Sequence, residues 1–206
     1  MATIPTIPTI PTIPIQNIKK STTELYYQIY SLKPDLKTVE DLLKQGADAN
    51  MLIEPVYLIK PTLFQHAISR GDLECVKLLI KYKADVNKST KYNNTPLSTI
   101  MECYQGLYGH RHDYIPSYIS ITKLLLKSKA DIYKQSMYRT RNINGYTSKY
   151  FKSSFYLHII DNYPNTTLGT LVKEWDQWLK YNKQNGMSLL CLQNRNNNYL
   201  IPADCN

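Results

Sequence analysis

The 206-residue sequence has little of what usually carries chemistry. Its four cysteines, Cys75, Cys103, Cys191 and Cys205, form no C-x-x-C pair and no metal-finger spacing, so a zinc ribbon or a redox dithiol lacks a framework. No G-x-S-x-G, no glycine-rich phosphate loop and no H-E-x-x-H occurs, which removes the common routes to hydrolysis and nucleotide chemistry. No apolar run approaches the length needed to cross a membrane. The N-terminus lacks the basic region and apolar helix of a secretory signal. Helix-turn-helix, zinc-finger and RNA-recognition motifs are missing too. Acids are scarce: 16 Asp and Glu stand against 25 Lys and Arg, a net charge of +9. That balance attracts acidic protein surfaces, nucleic acid or anionic membranes, and does not separate them.

What the sequence does have is repetition. Residues 3 to 14 are Thr-Ile-Pro four times over. A proline at every third position removes amide donors and fixes φ, which favours an extended, unpaired run. The central stretch, Thr62 to Asn87, reads as two amphipathic helices. Leu63, Phe64, Ala67 and Ile68 lie on the first, and Leu73, Val76, Leu79 and Ile80 on the second. Gly71 suits the left-handed residue that closes a helix, and Asp72 the cap that opens the next. Each helix is too short to stand alone and must stack on neighbours.

The neighbours are present. Ala84-Asp85-Val86-Asn87 recurs as Ala47-Asp48-Ala49-Asn50 and as Ala130-Asp131-Ile132. Thr62-Leu63-Phe64 recurs as Thr95-Pro96-Leu97, which sets a period of about 33 residues. A TPL opening, a G-D-x-x-x-V-x-x-L-L middle and a final (G)AD-x-N at this period resemble the ankyrin repeat. The resemblance implies an all-α solenoid of stacked helix-turn-helix units joined by β-hairpin-like fingers. Its units fall at about 21–50, 51–87, 88–133 and a degenerate cap at 134–181. They lie between a Thr-Ile-Pro tail (1–20) and an Asn-rich tail (182–206).

Within this frame, Ser21-Thr22-Thr23-Glu24 has capping-box spacing for the first helix, with Tyr26, Tyr27 and Tyr30 expected to pack over its end. The finger at 51–61 is unusually apolar, with Val56, Tyr57, Leu58 and Ile59. The third unit holds an insertion between its helices, near Cys103 to Tyr118, expected to form a surface loop. Cys103, His110, His112 and Asp113 lie in or beside it, but a fourth ligand at convincing spacing is missing, so no metal is assigned. Asn144-Gly145-Tyr146-Thr147 is expected to open the fourth unit after a slightly lengthened finger, with Phe151, Phe155, Leu157 and Ile159 on its helix. Trp175 and Trp178 are expected to close the core.

Two departures stand out. Lys83 and Lys129 replace the glycine of GAD, a left-handed position where a side chain costs roughly 1 kcal/mol. The histidine of TPLH is Gln65 in one unit and Ser98 in the next, which puts stability in doubt more than function. Lys83, Lys88, Lys91, Lys129, Lys134, Arg139 and Arg141 would line one positive edge.

The resemblance implies protein–protein recognition through finger tips and a concave helix face, with no catalytic residue, cofactor or small-molecule substrate. The residues expected to contact a partner are Tyr57, Lys88, Lys91, Tyr92, Tyr138, Arg139 and Arg141, joined by Tyr108, His110 and His112 if the inserted loop takes part. The partner expected is a protein with an acidic surface, bound by a monomer. Nucleic-acid association is the alternative, and a cryptic enzyme a weaker one. The bias to Lys, Asn, Ile and Tyr matches repeat proteins of intracellular bacteria and large DNA viruses. It points to a cytoplasmic location, or to export into a host cell without a signal peptide.

Overall fold

The computed structural model describes residues 15–31, 33–52, 61–90, 93–107, 115–141 and 148–184. They form four helix pairs: α1 (Ile15–Tyr30) with α2 (Leu36–Lys44), α3 (Leu63–Ser69) with α4 (Leu73–Lys81), α5 (Pro96–Leu107) with α6 (Ile115–Lys127), and α7 (Phe155–Asn162) with α8 (Thr167–Gln184). An antiparallel hairpin, β1 (Gln135–Arg141) and β2 (Ser148–Ser154), separates the last two pairs. First helices pack on first helices and second on second, giving the two layers of an all-α repeat solenoid.

The apolar period dictates this stacking. Leu63, Phe64, Ala67 and Ile68 of α3 and Cys75, Val76 and Leu79 of α4 are buried, and one continuous core runs from Leu25 to Trp175. Burying a side chain such as Phe64 is worth roughly 1.5–3 kcal/mol, which a helix as short as α3 obtains only from its neighbours. Trp175 is buried and stacks on Trp178, with ring centroids 4.9 Å apart, closing the core at α8. Gly169 lets α8 in close: a Cβ there would sit 2.1 Å from the Tyr163 carbonyl oxygen.

Helix ends follow the sequence signals. The Asp72 carboxylate accepts the Cys75 amide (3.1 Å), and Asp35 caps α2 through the amides of Lys37 and Thr38. Gly46 and Gly71 have positive φ, and so do Lys83 (67°) and Lys129 (70°), the two lysines standing where glycine is expected. At the end of α1, Arg70 donates to the carbonyls of Ile29, Tyr30 and Ser31, placing a cation at the negative end of the helix.

Polar ladders fix the register between repeats. Asn50 Nδ2 donates to the Lys83 carbonyl (3.2 Å) and its Oδ1 accepts the Asp85 amide (2.7 Å). One unit on, Asn87 does the same to Lys129 (2.9 Å) and Asp131 (2.8 Å). Where a third asparagine would follow, Tyr133 donates its hydroxyl to Asp176 of α8 instead. Gln65 removes the doubt raised by the lost histidine. Its Oε1 accepts the Thr62 amide (2.9 Å) in a capping box, and its Nε2 donates to the Asn94 carbonyl of the next unit (2.8 Å). Ser98 closes only the local half, with the Thr95 amide donating to its Oγ (2.8 Å).

Several expectations are corrected. Ser21 does not cap the first helix: α1 begins at Ile15, and Ser21 lies inside it, donating to Gln45 (3.2 Å). The insertion of the third unit is mostly helix rather than surface loop. Helix α5 has 12 residues against 7 in α3, and α6 has 13 against 9 in α4, so most of the extra length goes into these two helices. Two tyrosines of this region, Tyr104 and Tyr118, are buried, the second donating to the Ser69 carbonyl (2.7 Å). The fourth unit opens at Ser154, the N-cap of α7, not at Thr147. The finger before it is correspondingly longer than expected, and Phe151 belongs to strand β2. Leu157, expected on the buried side of the helix, is 48% exposed.

Candidate functional site

Stacking buries most of α3 and leaves His66 and Ser69 on a partly open face. Equivalent positions of successive repeats therefore recur along that face: His66 and Thr99, then Ser69 and Glu102. Between α3 and α5 these residues, with Thr90 and Asn94 from the base of a finger, line a groove of about 230 Å³. Most of its lining side chains are polar types, and several are already bonded to the backbone. Thr90 Oγ1 accepts the Asn94 amide (3.2 Å), Ser69 Oγ donates to the His66 carbonyl (2.8 Å), and Thr99 Oγ1 donates to the Thr95 carbonyl (3.3 Å).

At the α1 end of the same face lie aromatics that were expected to pack. Tyr26 does, half-buried, with its ring 5.3 Å from those of both Tyr27 and Tyr30. Tyr27 and Tyr30, however, are 66% and 52% exposed. The Tyr30 ring stacks nearly parallel on His66, 4.3 Å between centroids. Burial lowers the His66 pKa and the nearby Arg70 lowers it further, so the imidazole is neutral at pH 7.

Groups that sequence alone marks as reactive are spent elsewhere. Cys75 is fully buried, and its thiol is pushed up to about 12, first by burial and then by Asp72, which leaves no thiolate at neutral pH. Cys103 is half-buried with its Sγ on the Ser69 carbonyl (3.8 Å). Among the described residues no three His, Cys, Asp or Glu come together as metal ligands; His110, His112 and Asp113 lie outside them. Burial raises the Asp176 pKa, but hydrogen bonds from Lys180, Tyr133 and Tyr156 outweigh it and hold the carboxyl below its ordinary 3.8. That cluster is a clamp between the third unit and the cap.

The residues expected to contact a partner scatter. Tyr57, Lys91, Tyr92, Tyr108, His110 and His112 lie outside the described residues. Tyr138, Arg139 and Arg141 are on β1, where the register sets Tyr138 opposite Phe151 and Arg139 opposite Tyr150. Lys88 turns inward and donates to the Asn50 carbonyl (2.9 Å), as Lys134 does to that of Asn87, so two lysines of the positive edge tie repeats together. Asp48, Asp85 and Asp131, in the turns after α2, α4 and α6, are exposed. The residues that sequence reasoning missed are Tyr27, Tyr30, His66, Thr99 and Glu102. The shared repeat phase of His66 with Thr99 and of Ser69 with Glu102 could have found the groove.

The family model for ankyrin repeats (three copies) matches residues 27–136, more than half of the chain. No curated protein matches it. The last turn of α1 and helices α2 to α6, with their asparagine ladder and left-handed turns, occupy the matched stretch, and the chain belongs to the ankyrin repeat family, whose repeats serve as protein–protein interaction modules.

Proposed function

We propose that this protein is a binding module without catalytic activity of its own, engaging its partner through the open face of the first helices and the long β1–β2 finger. The carrying observation is the exposure of Tyr27 and Tyr30 on that face, in line with the groove between α3 and α5. Large aromatics held partly in water supply contact area at low entropic cost, and tyrosine and arginine are enriched at the energetic centres of interfaces. Arg139 and Arg141 on the finger, with the net charge of +9, favour a partner with an acidic surface. The partner is a protein and the module acts as a monomer. The Lys-, Asn-, Ile- and Tyr-rich composition supports an effector-like role on host proteins.

Affinity capture from a eukaryotic lysate tests this reading, comparing the intact chain with a Tyr27→Ala/Tyr30→Ala variant and an Arg139→Glu/Arg141→Glu variant of equal thermal stability. A protein held by the intact chain and lost by both variants supports it. Recovery indifferent to both substitutions overturns the assignment of the surface.

A further inference from the structure

The rings at the junction of α1 and α3 form one strip. Tyr27 lies edge-on to Tyr26, Tyr26 leans on Tyr30, and Tyr30 stacks on His66, in steps of 5.3, 5.3 and 4.3 Å between centroids. Tyr27 and Tyr30 are more than half exposed, and a contiguous patch of this kind marks a contact surface. One segment of the same chain has matching chemistry. Residues 3–14, outside the described residues, read Thr-Ile-Pro four times. A polyproline II helix has three residues per turn, so a three-residue repeat in that conformation sets its prolines on one edge, its isoleucines on the second and its threonines on the third. Two of the three edges are apolar, and the backbone carbonyls, which have no internal partner, can accept from tyrosine hydroxyls. Proline fixes φ in advance, which is why such runs dock on aromatic grooves at little entropic cost. One turn rises about 9 Å, so the strip has the length for between one and two turns.

We propose that the chain's own Thr-Ile-Pro run folds back along α1 and docks on the strip of Tyr27, Tyr26, Tyr30 and His66, so that a partner reaches this face only by displacing it. The inference rests on the binding-module reading above and adds its regulation. The reach is sufficient. Helix α1 begins at Ile15, directly after the run, and Tyr27 lies about 18 Å further along it. The twelve residues of the run extend about 37 Å, which leaves at least one Thr-Ile-Pro unit to lie on the strip. The path is polar: Lys20, Thr23 and Glu24, within two turns before Tyr27, are exposed, so the strip is the first apolar surface the run meets. Attachment to α1 holds the run at a millimolar effective concentration, so a weak contact keeps the strip covered, and a second copy in dilute solution cannot compete. A partner segment of higher affinity displaces it.

The test compares the full chain with a Pro5→Ser/Pro8→Ser/Pro11→Ser variant, whose substitutions precede α1 and leave the repeats untouched. A synthetic peptide of four Thr-Ile-Pro units, blocked at both ends, is titrated into each while the ring resonances of Tyr27 and Tyr30 are followed by NMR. The peptide should bind at these rings in the variant, and about two- to tenfold more weakly in the native chain, where the tethered run competes. The native chain alone should show nuclear Overhauser contacts between tail prolines and the two rings, and the variant should lose them. In an equal mixture of isotope-labelled and unlabelled chains, the contacts should stay within one chain. No peptide binding at the rings, equal affinity for both proteins, or ring contacts from a second copy or another segment of the chain overturns the inference. The titration reads only the tail and the strip. In the capture experiment, recovery indifferent to Tyr27 and Tyr30 would remove the binding face and leave the tail contact standing.

Discussion

Replacing Lys83 and Lys129 by glycine should be nearly neutral in dilute buffer and should stabilise the protein in high salt. Both lysines hold a left-handed backbone, with φ of 67° and 70°, a region that costs a side-chain-bearing residue about 1–2 kcal/mol. Two effects oppose the gain. Glycine loses more conformational freedom on folding, which takes back about 0.4–1 kcal/mol. A lysine near a helix C-terminus also gains about 0.3–1 kcal/mol from the helix dipole, and neither lysine is in an ion pair among the described residues that would add to it. At mid-range the net is close to zero in dilute buffer, about 0.2 kcal/mol per site. It rises toward about 0.8 kcal/mol when about 1 M salt screens the dipole contribution. For a chain of this size each kcal/mol moves the melting midpoint by about 2–4 °C. Urea titration of the single and double variants at low and high salt measures this directly, with Gly46→Lys as the reverse substitution at a φ of 90°. In high salt the midpoint should rise for both glycine variants and fall for Gly46→Lys, with unchanged slope; in dilute buffer the glycine variants should lie close to the parent. Glycine variants that are neutral or destabilised in high salt would refute the strain reading.

Gln65→Ala should cost about 2–4 kcal/mol, because it strands two buried groups, the Thr62 amide and the Asn94 carbonyl, that Gln65 now satisfies at 2.9 and 2.8 Å; Gln65→His, able to donate at one nitrogen and accept at the other, should restore most of that by the same urea measurement. Stability should also fall with acid well before the carboxylates titrate. Burial pulls the His158 pKa from 6.5 down to about 4, so the unfolded chain takes up a proton in that interval while the native chain does not. The stability is complete above the unfolded value and declines by up to about 1.4 kcal/mol per pH unit as pH drops toward the folded one, with His66 adding in the same direction. The urea midpoint followed from neutral pH downward should show this slope, and His158→Gln should flatten it; parallel curves for the two proteins would remove His158 as the cause.

The repeat phrases were legible because each encodes a local necessity. A short apolar stripe needs a neighbour, Asp72 needs an open helix end, and a left-handed turn after α4 and α6 was readable even with lysine in the glycine's place. What failed was punctuation inside longer elements. Gly106 and Pro116 looked like loop residues. Gly106 lies in the last turn of α5, and Pro116 is the second residue of α6, where a missing amide costs nothing. Tyr104 and Tyr118, read as loop aromatics, are core. The N-x-G-x-T phrase at Thr147 imitated a repeat opening, while the real one at Ser154 is disguised by a serine cap and a leucine that faces water. The positive edge was overstated because a sequence cannot show that Lys88 and Lys134 spend their donors on carbonyls of the preceding unit. The groove was missed for a related reason: its character comes from which polar atoms are already satisfied, and that is decided only once α3 and α5 are side by side.

The asparagine ladder also sets how such an array can lengthen. The unit ending at Asn87 takes a bridge from Asn50 on one side and gives an equivalent bridge on the other, so it has matching ends and could be duplicated in tandem with every link intact. The unit ending at Tyr133 has no such exit: its tyrosine is committed to Asp176 of the cap. Growth by duplication is therefore open upstream of Tyr133 and shut downstream. The length of this family of arrays, wherever that tyrosine is kept, would be set from the N-terminal side.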